Sequence, residues 1–238
     1  MSGNFAQFCQ RTGLLRSLLV IAPHPDDETI GCGGLIALAA AAPLSVVVVV
    51  VTDGAASHPG SATWPRERIA RRRKHEVSHA IDILGVSAPP HFLDLPDAET
   101  ATLAAPIRQQ ACDRLAGAIA QHQPEVVLTT WRREPHCDHR FCYTLTRDAM
   151  QDASSSAMLV EYMVWTYLIG AEDDRPRPHE TSAFLLDIDS VRGRKRSALA
   201  AHRSQLGRII RDDPDGFALS RSQMRTMTMG EERFDLPR

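Results

Sequence analysis

The sequence lacks cysteines with the number and spacing of a disulfide framework or a zinc motif. Its five cysteines are odd in number and form no C-x-x-C pair, which argues against a disulfide framework and against a cysteine-based zinc site. A chain of 238 residues can bury enough surface to fold without such cross-links. Unpaired cysteines are typical of a reducing compartment, so we expect a cytoplasmic protein.

The sequence also lacks an excess of charge of either sign. Lys and Arg number 27 and Asp and Glu number 29, for a formal net charge of −2. Such a chain has no general field that would gather nucleic acid or an anionic membrane. Basic residues do cluster in segment 66–74, but no aromatic residue lies among them, as stacking on nucleotide bases would require. We therefore expect no nucleic-acid partner.

An uninterrupted apolar run that could cross a membrane is missing as well. The longest apolar stretch, residues 35–51, is divided by Pro43 and Ser45, whereas a span needs about 20 consecutive apolar residues. Its alanine-rich first half favours a helix, and its run of six valines favours a strand. The apolar run 14–22 follows no basic region, so the sequence predicts neither a membrane span nor a secretory peptide.

What the sequence does contain is a regular alternation of short apolar strands and longer helices. Strands are predicted at 17–22, 44–51, 91–95, 125–130, 158–167 and 182–188. Helices are predicted from 31 to the Pro43 turn and at 65–84, 103–122, 139–151 and 191–204. This order predicts an α/β fold, a Rossmann-like three-layer α/β/α sandwich with a mostly parallel sheet. We expect a single domain over 1–238, with a core at about 17–205 and a C-terminal extension at 206–238.

Two clusters of histidine and carboxylate residues follow predicted strands. Residues 24–28, His-Pro-Asp-Asp-Glu, come directly after the first strand, and residues 136–139, His-Cys-Asp-His, follow the fourth. In an open α/β sheet, ligands bind outside the carboxyl ends of the strands. If the first and fourth strands are neighbours, both clusters therefore converge on one crevice.

The residue types in these clusters are typical of a catalytic zinc site. Such sites use three protein ligands of the His and carboxylate type and keep a fourth position open, and a further carboxylate can act as general base. Alternatively, residues 26–28 only cap the following helix, where carboxylates are favoured. Capping explains neither His24 nor the second cluster. A metal-dependent phosphoesterase with two metal ions is a further alternative.

The two clusters resemble the motifs of the PIG-L/LmbE-type N-acetylglucosaminyl deacetylases. The family pattern A-H-P-D-D-E matches residues 24–28, and its H-x-D-H matches residues 136–139. The resemblance extends through 29–34, 51–54, 73–86 and 198–205, and so covers most of 17–205. It implies a zinc-dependent hydrolase that removes the acetyl group from an N-acetylglucosamine unit of a small molecule or larger glycoconjugate.

Carried over position by position, the resemblance implies roles for five residues of the clusters. His24, Asp27 and His139 become the zinc ligands. Asp26 becomes the general base. His136, in its protonated form, becomes the partner of the oxyanion or the acid that protonates the leaving amine, and either Asp26 or His136 can supply that proton.

Four further residues are predicted to contact the substrate. The resemblance places the substrate-binding arginine on Arg73 and the glutamate three positions later on Glu76. His202, in a late helix, and His58, in the loop after the second strand, are predicted to line the pocket.

The sequence departs from the family pattern at two positions. Pro23 stands where the family usually has alanine, and Glu134 lies near a position where some members place an active-site tyrosine. Neither change removes a predicted ligand. A sugar-binding module that has kept the fold without catalysis is an alternative, but both clusters and the predicted base are intact. The sequence predicts neither the group attached to the sugar nor an oligomeric state.

Overall fold

A computed structural model describes residues 2–238 and contains one eight-stranded sheet. Its strands are β1 (Ser2–Gly3), β2 (Ser17–Ala22), β3 (Ser45–Thr52), β4 (His91–Leu95), β5 (Val126–Thr130), β6 (Met158–Tyr162), β7 (Ser182–Asp187) and β8 (Glu231–Leu236). Its α-helices are α1 (Phe5–Thr12), α2 (Asp27–Ala41), α3 (Arg66–Leu84), α4 (Ala105–His122), α5 (Cys137–Asp152), α6 (Arg192–Ala201) and α7 (Arg221–Met227). The strand order is β1-β7-β8-β6-β5-β2-β3-β4, and β8 runs antiparallel to its neighbours in an otherwise parallel sheet.

The central strands are apolar on both faces because helices cover both sides of the sheet. Val46 and Val48 of β3 belong to the core that includes α2, α3 and α6, whereas Val47 and Val49 belong to the core under α4 and α5. Successive side chains of a strand point to opposite faces, so the valine run serves both cores. The predicted three-layer α/β/α fold is confirmed. Within residues 2–238, no helix has the length and apolar content to span a membrane.

The position of β2 brings the two sequence clusters together. β2 lies between β3 and β5 and runs parallel to both, with Leu19 in register with Val127 of β5. The carboxyl ends of β2 and β5 therefore lie side by side, and residues 24–28 and 136–139 follow them at one edge of the sheet. The expectation that the first and fourth predicted strands are neighbours is confirmed.

Three of the predicted boundaries that differ from the observed ones lie beside the two clusters or depend on residues near them. α2 begins at Asp27 rather than at 31, because the polar cluster itself supplies the first helical turn. α5 begins at Cys137 rather than at 139, since His136 caps it. β6 ends at Tyr162 rather than at 167, because the carboxylate of Glu134 accepts the backbone N–H groups of residues 164–166.

The sheet extends beyond the predicted core limits of 17–205. β8 lies between β6 and β7, and its Phe234 is buried against Phe8 of α1, with ring centroids 5.2 Å apart. The alternation of apolar and polar residues does not reveal this strand, because Glu232 and Asp235 are also buried. Asp235 is paired with Arg233.

A buried ion pair joins β8 to the middle of α2. Lys195 of α6 donates from Nζ to Glu232 Oε1 at 2.7 Å and to the carbonyl oxygen of Ile30 at 2.8 Å. Glu232 Oε1 also accepts the backbone N–H of Gly34 at 2.6 Å. Since Asp27 begins α2, the pair anchors the helix that carries this residue of the first cluster.

Candidate functional site

The turn after β2 holds Asp26 in an unusual backbone conformation. Its φ is 154°, in a region where residues other than glycine are strained by about 1–3 kcal/mol. The backbone N–H of Asp26 donates to Glu28 Oε2 at 3.0 Å, and its Oδ1 accepts a hydrogen bond from Arg73 Nη2 at 3.0 Å. These contacts hold the strained residue in place, and such strain is concentrated at functional sites.

Three donor atoms meet beside this turn. Asp27 Oδ2 lies 3.0 Å from His24 Nδ1 and 3.2 Å from His139 Nε2, and the two nitrogens lie 3.2 Å apart. With bonds of about 2.0–2.1 Å, two ligand atoms of a tetrahedral zinc ion lie roughly 3.3 Å apart. We call these three atoms the donor triangle, and it fits one metal ion. A looser group replaces Asp27 with His136, whose ligand atom lies within 4.8 Å of those of the two histidines.

Carboxylates fix the outward nitrogens of both histidines of the donor triangle. His24 Nε2 lies 3.1 Å from Asp97 Oδ1 and from Asp138 Oδ2, and His139 Nδ1 lies 3.1 Å from Glu134 Oε2. An ionised carboxylate only accepts hydrogen bonds, so each ring carries a proton on its outward nitrogen. When its inward nitrogen is deprotonated, each ring can offer a lone pair there, which is the usual arrangement of metal-bound histidine.

A metal ion and protons compete for the donor triangle. Burial lowers the pKa values of His24 and His139, but the neighbouring carboxylates outweigh it and raise both above the usual range. Burial raises the pKa of Asp27, but the two histidines outweigh it and hold that pKa far below its usual range. A cation that binds here must displace protons, so its affinity falls as the pH falls.

Asp26 lies next to the donor triangle and has a pKa near neutrality. Burial raises its pKa to about 6, against the opposing effect of the Arg73 guanidinium. Arg73 is only 3% exposed and also donates to the carbonyl oxygens of Gly54, at 2.9 Å, and Pro25, at 3.0 Å. A carboxylate with a pKa close to the working pH is suited to accept and return a proton.

His136 lies opposite His24, with 4.8 Å between the ring centroids. It caps α5 and accepts the backbone N–H of Asp138 through Nδ1 at 3.2 Å, so its neutral ring carries the proton on Nε2. Burial, followed by the charges of His24 and His139, lowers the pKa of His136. The structure thus favours a neutral N–H donor where the sequence predicts a protonated ring.

A cavity of about 610 Å³ opens above these side chains. Its floor includes His24, Asp26, Asp27 and His136. A volume of this size is typical of small-molecule sites and is large enough for a sugar ring with a substituent. Its outer wall is largely apolar and includes Pro59, Trp165, Ile169 and Phe217.

The family profile described as PIG-L: GlcNAc-PI de-N-acetylase matches residues 19–150, which is more than half of the chain. The chain belongs to the PIG-L family. The matched segment contains every atom of the donor triangle together with Asp26 and His136.

Curated relatives of this PIG-L family member have deacetylase names. It is 27% identical over 245 residues to the 1D-myo-inositol 2-acetamido-2-deoxy-alpha-D-glucopyranoside deacetylase of Mycobacteroides abscessus, with 86% of each chain covered. It is 29% identical over 204 residues to the diacetylchitobiose deacetylase of Thermococcus kodakarensis, with 80% of this chain and 70% of the relative covered.

Solved structures share the fold of this PIG-L family member. N,N'-diacetylchitobiose deacetylase from Pyrococcus horikoshii has a TM-score of 0.67 at 21% identity, with 93% of this chain and 84% of that chain covered. GalB, the 4-carboxy-2-hydroxymuconate hydratase from Pseudomonas putida, has a TM-score of 0.66 at 22% identity, with 94% and 98% covered. Since one fold carries two named reactions, the reaction must be argued from the site.

The structure places Glu76 and His202, both predicted to contact substrate, outside the cavity lining. Glu76 accepts hydrogen bonds from Arg72 Nε at 2.7 Å and from the backbone N–H of Ser204 at 3.0 Å, and so ties α3 to the turn after α6. His202 Nε2 lies 3.4 Å from Glu28 Oε1. His202 therefore supports the glutamate that holds the backbone of Asp26.

Arg73 and His58, the other two residues predicted to contact substrate, have different surroundings. Arg73 lines the cavity, but its guanidinium is occupied by Asp26 and two backbone carbonyls, so it acts on the site through Asp26. His58 does not line the cavity. It packs against Gly216, where an added Cβ would lie 2.3 Å from His58 Cδ2.

Sequence reasoning missed four residues of the site. Asp97 could have been found, because it lies two residues after a predicted strand end and next to the crevice. Glu134 was noted only as a departure from the family pattern, yet it binds His139. Trp165 and Phe217 lie in irregular segments, and no sequence pattern indicates that these segments meet at the cavity.

Proposed function

We propose that this chain is a zinc-dependent deacetylase that hydrolyses the N-acetyl group of an N-acetylglucosamine moiety of a glycoconjugate and gives the free amine and acetate. The observation that carries the proposal is the donor triangle, with Asp26 beside it, at the floor of a cavity of about 610 Å³. The names of the curated relatives support the same reaction.

His24, Asp27 and His139 hold the zinc ion in this proposal. Two imidazoles and one carboxylate form a donor set typical of catalytic zinc, which supports zinc over magnesium or calcium. Bound zinc would polarise the acetamide carbonyl and acidify a water molecule.

In this proposal Asp26 moves the proton and His136 stabilises the oxyanion. Asp26, which is largely ionised above about pH 6, takes a proton from the attacking water. His136 donates a hydrogen bond from Nε2–H to the oxyanion of the tetrahedral intermediate, whose charge such a donor stabilises. The amine then leaves with the proton held by Asp26, and acetate remains.

Metal analysis and amine-release assays on a panel of N-acetylglucosaminides test this proposal. We expect Asp26→Asn to retain zinc but to lose roughly 10²–10⁴-fold in kcat, the usual contribution of a general base. We expect His24→Ala to lose both the metal and the activity. Asp113→Asn, a change of an exposed carboxylate on α4, should alter neither. A fully active Asp26→Asn enzyme would overturn the assignment of the base.

Metal stoichiometry separates the proposal from a phosphoesterase. One donor triangle predicts one zinc equivalent per chain. Two tightly bound equivalents together with phosphate release from a phosphomonoester would contradict the proposal, because phosphoesterases of this type use paired metal ions.

A further inference from the structure

The outer part of the cavity contains an aromatic corner, formed by Trp165 and Phe217. Their ring centroids lie 5.8 Å apart with an interplanar angle of 85°, an edge-to-face arrangement that is favourable for aromatic pairs. Ile169 continues the wall toward the mouth and is 67% exposed. A large exposed aliphatic side chain beside a half-buried aromatic pair is typical of a surface that a ligand covers.

The aromatic corner is fixed by hydrogen bonds on both of its sides. The backbone N–H of Trp165 donates to Glu134 Oε2 at 3.0 Å, the oxygen that also lies 3.1 Å from His139 Nδ1. The backbone N–H of Phe217 donates to the carbonyl oxygen of Ser57 at 2.7 Å. The corner therefore has a set position relative to the donor triangle, as a binding surface requires.

The segment that carries Phe217 is joined to the loop after β3 by further contacts. Asp213 Oδ2 accepts the backbone N–H of Gly60 at 2.8 Å, and Asp212 Oδ2 accepts that of Thr63 at 2.8 Å. These bonds make the outer wall a continuous surface built from two distant parts of the chain.

The charges around the cavity disfavour an anionic group at the aromatic corner. Among the lining residues of the described chain, Arg73 is the only lysine or arginine, and its guanidinium is paired with Asp26. Asp215 lies exposed in the lining near Phe217. A phosphate group is recognised by free Arg or Lys side chains or by backbone N–H groups, and a carboxylate at the mouth would repel it.

We propose that the substrate carries, on its N-acetylglucosamine unit, an uncharged ring with an apolar face, and that this ring stacks in the corner of Trp165 and Phe217. A second sugar ring and an aryl group share this chemistry. A substrate with a phosphate at that position is rejected. This inference rests on the proposed deacetylase function and assigns the group that the substrate presents to the outer cavity.

The test compares four substrates of the zinc-loaded protein by amine release. These are N-acetylglucosamine, N,N'-diacetylchitobiose, 4-nitrophenyl N-acetylglucosaminide and N-acetylglucosamine 1-phosphate. We expect kcat/KM to be highest for the two substrates with an uncharged second ring and lowest for the phosphate. A kcat/KM for N-acetylglucosamine 1-phosphate that equals or exceeds those of the two ring substrates would overturn the inference. The relative kcat/KM values of the two ring substrates identify whether a sugar ring or an aryl ring fits the corner better.

Variants of the aromatic corner test the stacking directly. Phe217→Ala and Phe217→Leu should each lower the ratio of kcat/KM for the ring substrates to that for N-acetylglucosamine, by roughly tenfold for alanine, as loss of an aromatic contact implies. Tyr167→Ala is the matched control, because Tyr167 lies near Trp165 in the chain but outside the cavity lining. An unchanged ratio in both Phe217 variants would refute the stacking.

A change at the mouth tests the role of charge. Asp215 is exposed, so Asp215→Lys should fold, and we expect it to raise kcat/KM for the 1-phosphate by several-fold relative to Asp215→Asn. If Asp215→Lys leaves kcat/KM for the 1-phosphate unchanged, the claim that charge at the cavity mouth excludes a phosphate group is contradicted. If no substrate of the panel releases an amine, the deacetylase function itself fails. If N-acetylglucosamine is deacetylated and the ratios do not follow the predictions, only this inference fails.

Discussion

Two buried ion pairs with a lysine or arginine contact the segment of residues 24–41, and they differ in how many of their polar atoms have hydrogen-bond partners. In the Lys195–Glu232 pair, both side chains are 2% exposed, and the glutamate also accepts two backbone N–H groups of α2. In the Arg73–Asp26 pair, the side chains are 4% and 5% exposed, but Arg73 Nε has no hydrogen-bond partner and Asp26 lines the cavity.

This difference separates a pair that holds the structure from one that serves catalysis in the proposed mechanism. Lys195–Glu232 lies away from the cavity lining and holds the backbone of α2. Arg73–Asp26 lies at the cavity, and the pKa of Asp26 there is raised to about 6, chiefly by burial. The first pair holds a helix in place, whereas burial at the cavity keeps the carboxylate of the second pair able to take up a proton.

Breaking the structural pair should have the largest effect on stability. Glu232→Ala leaves the Lys195 ammonium buried without its counter-charge, and removal of one partner of a buried pair costs about 3–5 kcal/mol. Urea unfolding at pH 7 measures this loss. Glu231→Ala, at the exposed neighbouring position, should change stability by less than about 0.5 kcal/mol. Similar losses in the two variants would contradict the anchoring role of Glu232.

Breaking the pair at the cavity should affect catalysis more than stability. Arg73→Met removes the charge that lowers the pKa of Asp26, so that pKa rises and a larger fraction of Asp26 is protonated at pH 7. We expect the acid limb of the kcat/KM profile to move to higher pH by roughly one unit. The free energy of unfolding should fall by less than in Glu232→Ala, because Asp26 can become neutral by taking up a proton.

The exposed Arg71 of the same helix provides the control for this comparison. Arg71→Met should leave both the pH profile and the unfolding free energy nearly unchanged. A profile of Arg73→Met that coincides with that of Arg71→Met would exclude the role of Arg73 in setting the proton affinity of Asp26.

The smallest expected effect concerns Gly33, which lies against the structural pair. A Cβ at Gly33 would meet Lys195 Cγ at 3.1 Å, and the ammonium of Lys195 is held by Ile30 and Glu232, so the side chain yields little. We expect Gly33→Ala to destabilise the protein by about 1 kcal/mol, despite the higher helix propensity of alanine. Thermal unfolding measures the change.

Gly117 of α4 is the matched control for Gly33, because nothing lies within 4 Å of a Cβ at that position. Gly117→Ala should therefore stabilise the protein by about 0.4–1 kcal/mol. If both substitutions stabilise the protein, the Lys195 side chain can move aside. The Lys195–Glu232 pair is then less rigid than its hydrogen bonds imply, and it differs less from the Arg73–Asp26 pair.

The sequence predicted the parts of the fold and site that depend on local patterns. The valine run of β3 and the apolar segment of β2 are buried on both faces, so periodicity and length identify them. His24 and His139 follow strand ends, and the observed pairing of β2 with β5 brings them within 3.2 Å of each other. These residues could be predicted because each lies next to a recognisable strand in the chain.

The features that could not be predicted depend on contacts between distant segments. β8 contains buried carboxylates whose partners include Lys195, 37 positions away. Glu76 was predicted to contact substrate from the family resemblance, and His202 was predicted to line the pocket, but each is occupied by a neighbour that only the folded chain supplies. Phe217 reaches the cavity because its segment binds the loop after β3.

The position of β8 also sets the order in which the site can form during synthesis. Residues 231–236 leave the ribosome after every other strand of the sheet, yet they lie between β6 and β7, and Glu232 binds the helix that begins at Asp27. The nascent chain therefore carries all three residues of the donor triangle well before α2 gains its anchor. A chain that stops short of residue 231 would leave β6 and β7 with unpaired edges where β8 belongs, and such edges are exposed to wrong pairing.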